Sequence, residues 1–117
     1  MWIRNTKENH GNIFNDCTFK GLGKDAVIGR LPDNKGKNYP DAECVMLNCT
    51  LDGVPSEGFG PVDETASTAV LLEFNSHDKE GKTTDVSKRN WYVRQLDAIK
   101  DAEIIGKYSD ARWVLNW

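Results

Sequence analysis

The sequence lacks most of the features that announce a function. No apolar run is long enough to cross a bilayer, so no membrane partner is expected. The opening stretch, MWIRNTKENHGNIF, lacks the apolar segment of a signal peptide. Either the protein stays in the cytosol, or a signal lies outside this chain, or the chain is part of something longer. Positive charge is not in excess: 15 Lys and Arg face 18 Asp and Glu, a net charge of −3. Nucleic-acid surfaces need a basic stripe, so no nucleic-acid partner is expected. The three cysteines, Cys17, Cys44 and Cys49, are an odd number without a CxxC pair, and the two histidines, His10 and His77, lie far apart in polar surroundings. That argues against a disulfide framework and against a structural zinc site, and neither metal nor cofactor is expected. No Gly-x-Ser-x-Gly elbow is present, which argues against a serine hydrolase.

With 117 residues the chain is long enough for one domain with a modest core. Its 10 glycines and frequent asparagines give a turn-rich composition that favours β architecture. A pattern recurs within it. IFNDCTFKG (Ile13 to Gly21) and VMLNCTLDG (Val45 to Gly53) share apolar–x–x–Asp/Asn–Cys–Thr–apolar–x–Gly, with the two cysteines 32 residues apart. A third apolar run, TAVLLEFNS (Thr68 to Ser76), follows about one repeat later. The period inside these runs is two, so each reads as a half-buried strand. Val45, Leu47, Cys49 and Leu51 fall on one face, with Met46, Asn48 and Thr50 on the other. In the first copy Ile13, Cys17 and Phe19 match the inward set, and Asn15 is the misfit. Like residues at like positions predict strands stacked rung on rung, as in a parallel β-helix. On periodicity alone an antiparallel sheet with two similar strands is equally open. The segments 31–41 and 53–65 are too long for hairpin turns, which favours a solenoid with a binding face on one side.

The tail has another character. VSKRNWYVR (Val86 to Arg94) reads as a further strand, and QLDAIKDAEIIGKYS as a helix with Leu96, Ile99, Ala102 and Ile105 at spacings of three. Asp97 is placed to cap its start and Gly106 to end it. Trp91, Trp113 and Trp117 are expected in core and cap.

Several motifs, in order, resemble those of pectinesterases, the pectin methylesterases of carbohydrate esterase family eight. VIGRLP (Val27 to Pro32) is similar to the family's Leu-Gly-Arg-Pro-Trp signature, and AECVMLNCTLDGV to the strand after it. PSEGFGP (Pro55 to Pro61) resembles its Pro-Glu-Gly-Trp turn, and LLEFNS its Glu-Tyr-x-Asn strand. SKRNWYVRQL (Ser87 to Leu96) resembles its Arg-Val-x-Trp stretch. The resemblance runs from Gly11 onward and covers only what is the C-terminal third of that family's right-handed parallel β-helix.

The resemblance implies hydrolysis of methyl esters of pectin, a secreted or periplasmic location, and pectic polysaccharide or oligogalacturonate as partner. It makes Arg30 the arginine that orients the nucleophile and binds the substrate carboxylate, a role suited to a planar, permanently charged fork. Leu31, Glu57 and Phe59, in the matched motifs, and Tyr39, in an insertion, are expected as substrate contacts beside Arg30. Leu31 and Pro32 stand where the family has Pro-Trp, Phe59 stands where it has the tryptophan of Glu-Gly-Trp, and the inserted loop with Lys35, Lys37 and Tyr39 offers replacement contacts. The family's nucleophilic and acid–base aspartates sit in motifs upstream of the Gly-Arg turn. Only Asp16 and Asp25 precede it here, neither in such a motif, and Gln95 is the sole glutamine. The catalytic aspartate pair is therefore missing, and the chain alone is expected to be inactive. The alternative is a non-catalytic module that binds acidic glycan, or docks a partner chain or a second copy through an uncovered N-terminal rung.

Other residues fit bland roles. Cys17 and Cys49 are expected in the core. Asn48-Cys49-Thr50 is a glycosylation sequon inside a strand, and Glu57, Asp63 and Glu64 read as a solvated loop. The expected architecture is all-β: a single domain over 1–117, with a lead-in over 1–10, a right-handed parallel β-helix of about three to four coils over 11–94, and a helical cap over 95–117.

Overall fold

A computed structural model describes residues 3, 5–30, 41–60 and 69–116. Six short strands and two short helices follow in order: β1 (Asn12–Asn15), β2 (Thr18–Lys20), β3 (Glu43–Leu47), β4 (Thr50–Asp52), β5 (Val70–Phe74), β6 (Arg94–Gln95), α1 (Ala102–Tyr108) and α2 (Ala111–Val114). The strands form one four-stranded sheet, ordered β1-β3-β5-β6, and one two-stranded sheet of β2 and β4. All named pairs are parallel.

The repeated motifs do pair, and in register: Ile13 lies opposite Val45 and Thr18 opposite Thr50. The corner between the two strands of each motif explains the recurrent Asp/Asn. Asp16, Asn48 and Asn75 have φ of 57°, 56° and 55°. This left-handed region is costly for most side chains and tolerated by Asn and Asp. The corners are also bonded to one another. Asp16 N donates to Leu47 O (2.8 Å), Asn48 N donates to Phe74 O (2.9 Å), and the Asn75 amide donates to Asn48 Oδ1 (2.9 Å). We predict that Asn48→Ala costs about 1–2 kcal/mol from the left-handed backbone alone. Asn48→Gly, free of that penalty, should lose less. Urea unfolding of both variants checks this; equal losses would mean that the corner conformation carries no stability.

The left-handed corner shifts the phase of the alternation, which corrects the expected faces. Val45 and Leu47 do share a face, in a cluster with Leu72 and Leu96. Cys49 and Leu51, beyond Asn48, join Cys44, Met46 and Leu71 in the other cluster. Cys17 and Phe19 likewise pack with that second cluster, whereas Ile13 packs with the first. A two-residue period carried straight through the corner cannot reproduce this.

The expectation of a multi-coil right-handed β-helix is overturned. Such a fold needs every sheet to gain a strand with each coil. Among the described residues the smaller sheet stops at two strands, and the chain after Asn75 reaches Thr50 there through an isolated bridge at His77. The stretch 86–94, read as a strand, is mostly turn and contributes only the two-residue β6 with Gln95. Both faces of the larger sheet are also covered. Every residue of β3 is buried, and Ile104, Ile105 and Tyr108 of α1 pack on Val45, Leu47, Leu72 and Leu96. α1 therefore lies on a sheet face instead of capping an open end. At seven residues it is too short to be stable alone, and that packing supplies its stability.

Details of the tail differ from expectation for local reasons. The Asp97 carboxylate accepts from the N–H groups of Ile99 and Lys100, so it caps the turn before α1. Gly106 lies inside α1, which runs on to Tyr108. Ile99 is 88% exposed and Trp91 78% exposed, so neither is core. Trp117 lies outside the described residues.

Candidate functional site

The resemblance places a site around Arg30. Three of its five residues meet there. Arg30, Glu57 and Phe59 line one open cleft of about 500 Å³, with Asp25 and Asn90 beside them. Leu31 and Tyr39 lie outside the described residues, as do Lys35, Lys37, Asp63 and Glu64.

The cleft is built where two loops are laced together. Ile28 N donates to Gly58 O (2.7 Å) and Gly60 N to Gly29 O (2.7 Å). These bonds set Arg30 beside the turn that carries Glu57. The turn is fixed from below. Arg89 Nη1 donates to Ser56 O (2.8 Å), and Asn90 Nδ2 donates to Phe59 O (3.0 Å). The Tyr92 hydroxyl donates to Gly60 O (2.6 Å). Gly58 adopts φ +72°, and a Cβ there would come within 2.8 Å of the Arg89 side chain. The turn thus needs glycine both for its backbone and for the approach of Arg89.

Arg89 is held by the most buried charge among the described residues. Glu73, on β5, has a fully buried carboxylate. Arg89 Nε reaches Oε1 (2.9 Å) and Nη2 reaches Oε2 (3.1 Å), while Gln95 donates to Oε1 (2.7 Å) and Ser76 to Oε2 (2.5 Å). Burial by itself would raise the carboxyl pKa. The hydrogen bonds from Arg89, Ser76 and Gln95 outweigh it and hold the pKa below the usual value. This network is internal: both oxygens are saturated, so Glu73 is a structural anchor and not a reacting group.

The predicted roles fare unevenly. Arg30 is exposed and Glu57 is exposed, as ligand-facing groups must be. Phe59 is 1% exposed and belongs to the core. Its ring therefore cannot offer a stacking face to a sugar, and its part in the site is to seat the turn. Gln95, the one candidate donor for an anionic intermediate, is committed to Glu73. Asp16 is a corner residue, bonded through its backbone to Leu47 and not part of this cleft. Cys44 and Cys49 are buried, and burial raises both thiols, Cys44 to about 12; they are not nucleophiles.

Sequence reasoning missed Asp25 and Asn90 as neighbours of Arg30. Asp25 sits five residues before it on an irregular loop, and Asn90 sixty after, so neither spacing carries a signal. Among the described residues no three His, Cys, Asp or Glu side chains are grouped to hold a metal ion. Nor is any helix there long and apolar enough to cross a membrane. Compared with known proteins, the chain matches no family model, no curated protein and no solved structure.

Proposed function

We propose that the chain is a non-catalytic module that binds a pectic, uronate-containing glycan in the Arg30 cleft. The supporting observation is that Arg30, Asp25, Glu57 and Asn90 share one open cleft. A guanidinium takes a uronate carboxylate through paired, charge-assisted hydrogen bonds. Carboxylates beside it accept from sugar hydroxyls, which are donors. Two carboxylates against one guanidinium disfavour a run of ionised uronates, since like charges repel. The cleft therefore suits a chain in which neighbouring carboxyls are esterified. Ester cleavage by a carboxylate nucleophile needs a donor aimed at the developing oxyanion. The only glutamine is bound elsewhere, which supports binding without turnover.

The test is binding to partly methylated pectin and to polygalacturonate by affinity electrophoresis or calorimetry. The methylated polymer should bind more tightly. Arg30→Ala should weaken it about tenfold, the loss of one charge-assisted contact of about 1.5 kcal/mol. Unchanged affinity in the variant would remove the cleft from the function, and methanol release from pectin would overturn the non-catalytic half of the reading.

One observation favours a second reading, a module that docks an extended strand. β1 and β2 each have a strand partner on one side only among the described residues. The backbone groups on the other side, which pair with no strand among the described residues, form a template for a parallel strand. Light scattering over a range of concentrations would show self-association if a second copy is the partner.

A further inference from the structure

A larger cleft, of about 1090 Å³, lies apart from Arg30, between the N-terminal turn, the start of β3 and the α2 segment. At its base is a histidine locked by a carboxylate. His10 Nδ1 lies 2.9 Å from Glu43 Oε1, which also accepts from Gly11 N (2.9 Å). The Tyr108 hydroxyl donates to Glu43 Oε2. Glu43 is thus occupied on both oxygens, and its β3 position is fixed in turn: Glu43 N donates to Asn5 Oδ1 (2.7 Å). Because a carboxylate only accepts, His10 carries a proton on Nδ1. In the neutral ring, Nε2 is then an acceptor, and no partner bonds to it among the described residues. The His10 ring packs at 4.6 Å against Trp113, which is 38% exposed. Tyr108 meets Trp113 edge-on at 5.1 Å.

The same cleft carries two cations, Lys7 and Arg112. Both side chains lie at exposed positions, and neither forms an ion pair among the described residues. The other lining carboxylates are partly engaged: Asp110 caps α2 through Arg112 N (2.9 Å), and Glu8 bonds to the Thr6 side chain. Asp41 remains as an acceptor. What the cleft presents is an aromatic surface, a fixed imidazole acceptor, an acidic acceptor and two cations that form no ion pair among the described residues.

We infer that this cleft is a second ligand site, for a small hydroxylated ring that carries one anionic group. The anion pairs with Lys7 and Arg112, as guanidinium and ammonium groups pair with carboxylate or phosphate. The ring lies against Trp113, and its hydroxyls donate to His10 Nε2 and Asp41. A bare inorganic anion meets only part of this lining, and a neutral sugar leaves the cations unpaired. The site does not rest on the Arg30 cleft, because the two clefts share no lining residue.

The experiment is a titration of the full chain with glucuronate, glucose 6-phosphate, glucose and inorganic phosphate. It is followed by NMR signals of the His10 ring and the Trp113 indole, with calorimetry for affinity. We expect both anionic sugars to shift those signals and to bind more tightly than glucose or phosphate. The stronger of the two tells whether carboxylate or phosphate is the natural anion. Lys7→Ala and Arg112→Ala should each weaken the anionic sugars about tenfold at the His10 and Trp113 signals, while Lys79→Ala, at an exposed position in neither cleft, leaves them unchanged. Circular dichroism checks that the variants are folded. Equal binding of glucose, binding of phosphate as tight as that of the sugars, or no response at His10 and Trp113 would overturn the inference.

Discussion

Glu73→Gln should destabilise the protein by about 3–5 kcal/mol, the cost of leaving one member of a buried ion pair unpaired. The Glu73 carboxylate is inaccessible and the Arg89 side chain is 3% exposed, so water cannot replace the lost partner. The amide keeps the size of the carboxyl but cannot neutralise the guanidinium 2.9 Å away. The loss should also reach the Arg30 cleft, because Arg89 is the group that holds Ser56. A double variant, Glu73→Met with Arg89→Met, removes both charges together and should cost less than Glu73→Gln alone. Urea unfolding of the three proteins checks this. If the double variant were the least stable, net attraction within the pair would outweigh the desolvation penalty.

The same residue sets a pH dependence. The folded pKa of Glu73 lies below its ordinary 4.5. Its contribution is therefore complete above the unfolded pKa and is lost as pH falls through the folded one. The wild-type protein should lose stability below about pH 4.5. In Glu73→Gln that acid limb should flatten. A limb of unchanged steepness would assign the acid sensitivity to other carboxylates.

Phe59→Ala should cost about 3–5 kcal/mol, the range for removing a buried aromatic ring and leaving a cavity. Phe59 is among the largest fully buried side chains, in the cluster with Ile3, Ile28 and Met46. Its backbone is also a strut: Phe59 O accepts from Asn90, and its neighbour Gly60 is bonded to Gly29 and Tyr92. Phe59→Leu keeps most of the buried volume and should lose far less stability. The pair of substitutions decides between core and ligand platform. A core ring changes the unfolding midpoint; a platform changes glycan affinity with stability intact. The second outcome would reverse the assignment made from its 1% exposure.

Much of the local structure was legible because it is local. The shared Asp/Asn-Cys-Thr motif marks the strand positions, since like positions answer to like backbone demands, while the parallel pairing of β1 with β3 and β2 with β4, equally open to an antiparallel sheet on periodicity alone, is set by the fold. The Asp/Asn at each corner could have been read further, as a left-handed residue that resets the alternation. The face assignment failed because the period was carried through that corner. Val86 to Arg94 reads as a strand in the sequence, yet Glu73, sixteen residues earlier, holds Arg89 inward, and the stretch is mostly turn. The multi-coil β-helix failed for a related reason: apolar spacing in α1 shows that one face must be buried, but not that a sheet face will receive it.

For the site, the Gly-Arg turn and the Pro-Ser-Glu-Gly-Phe turn were found as separate motifs, and Arg30 and Glu57 do share a cleft. Chain order and spacing could not bring Asp25 or Asn90 to them, nor join His10 to Glu43, Tyr108 and Trp113. The sequence by itself determined which residues turn, which alternate and which cannot be buried without a partner, because those preferences belong to each residue and its neighbours. Tertiary structure alone decided which charges meet, which ring becomes core and where open clefts remain. Those outcomes depend on distances between segments far apart in the chain, and only the packed fold sets them.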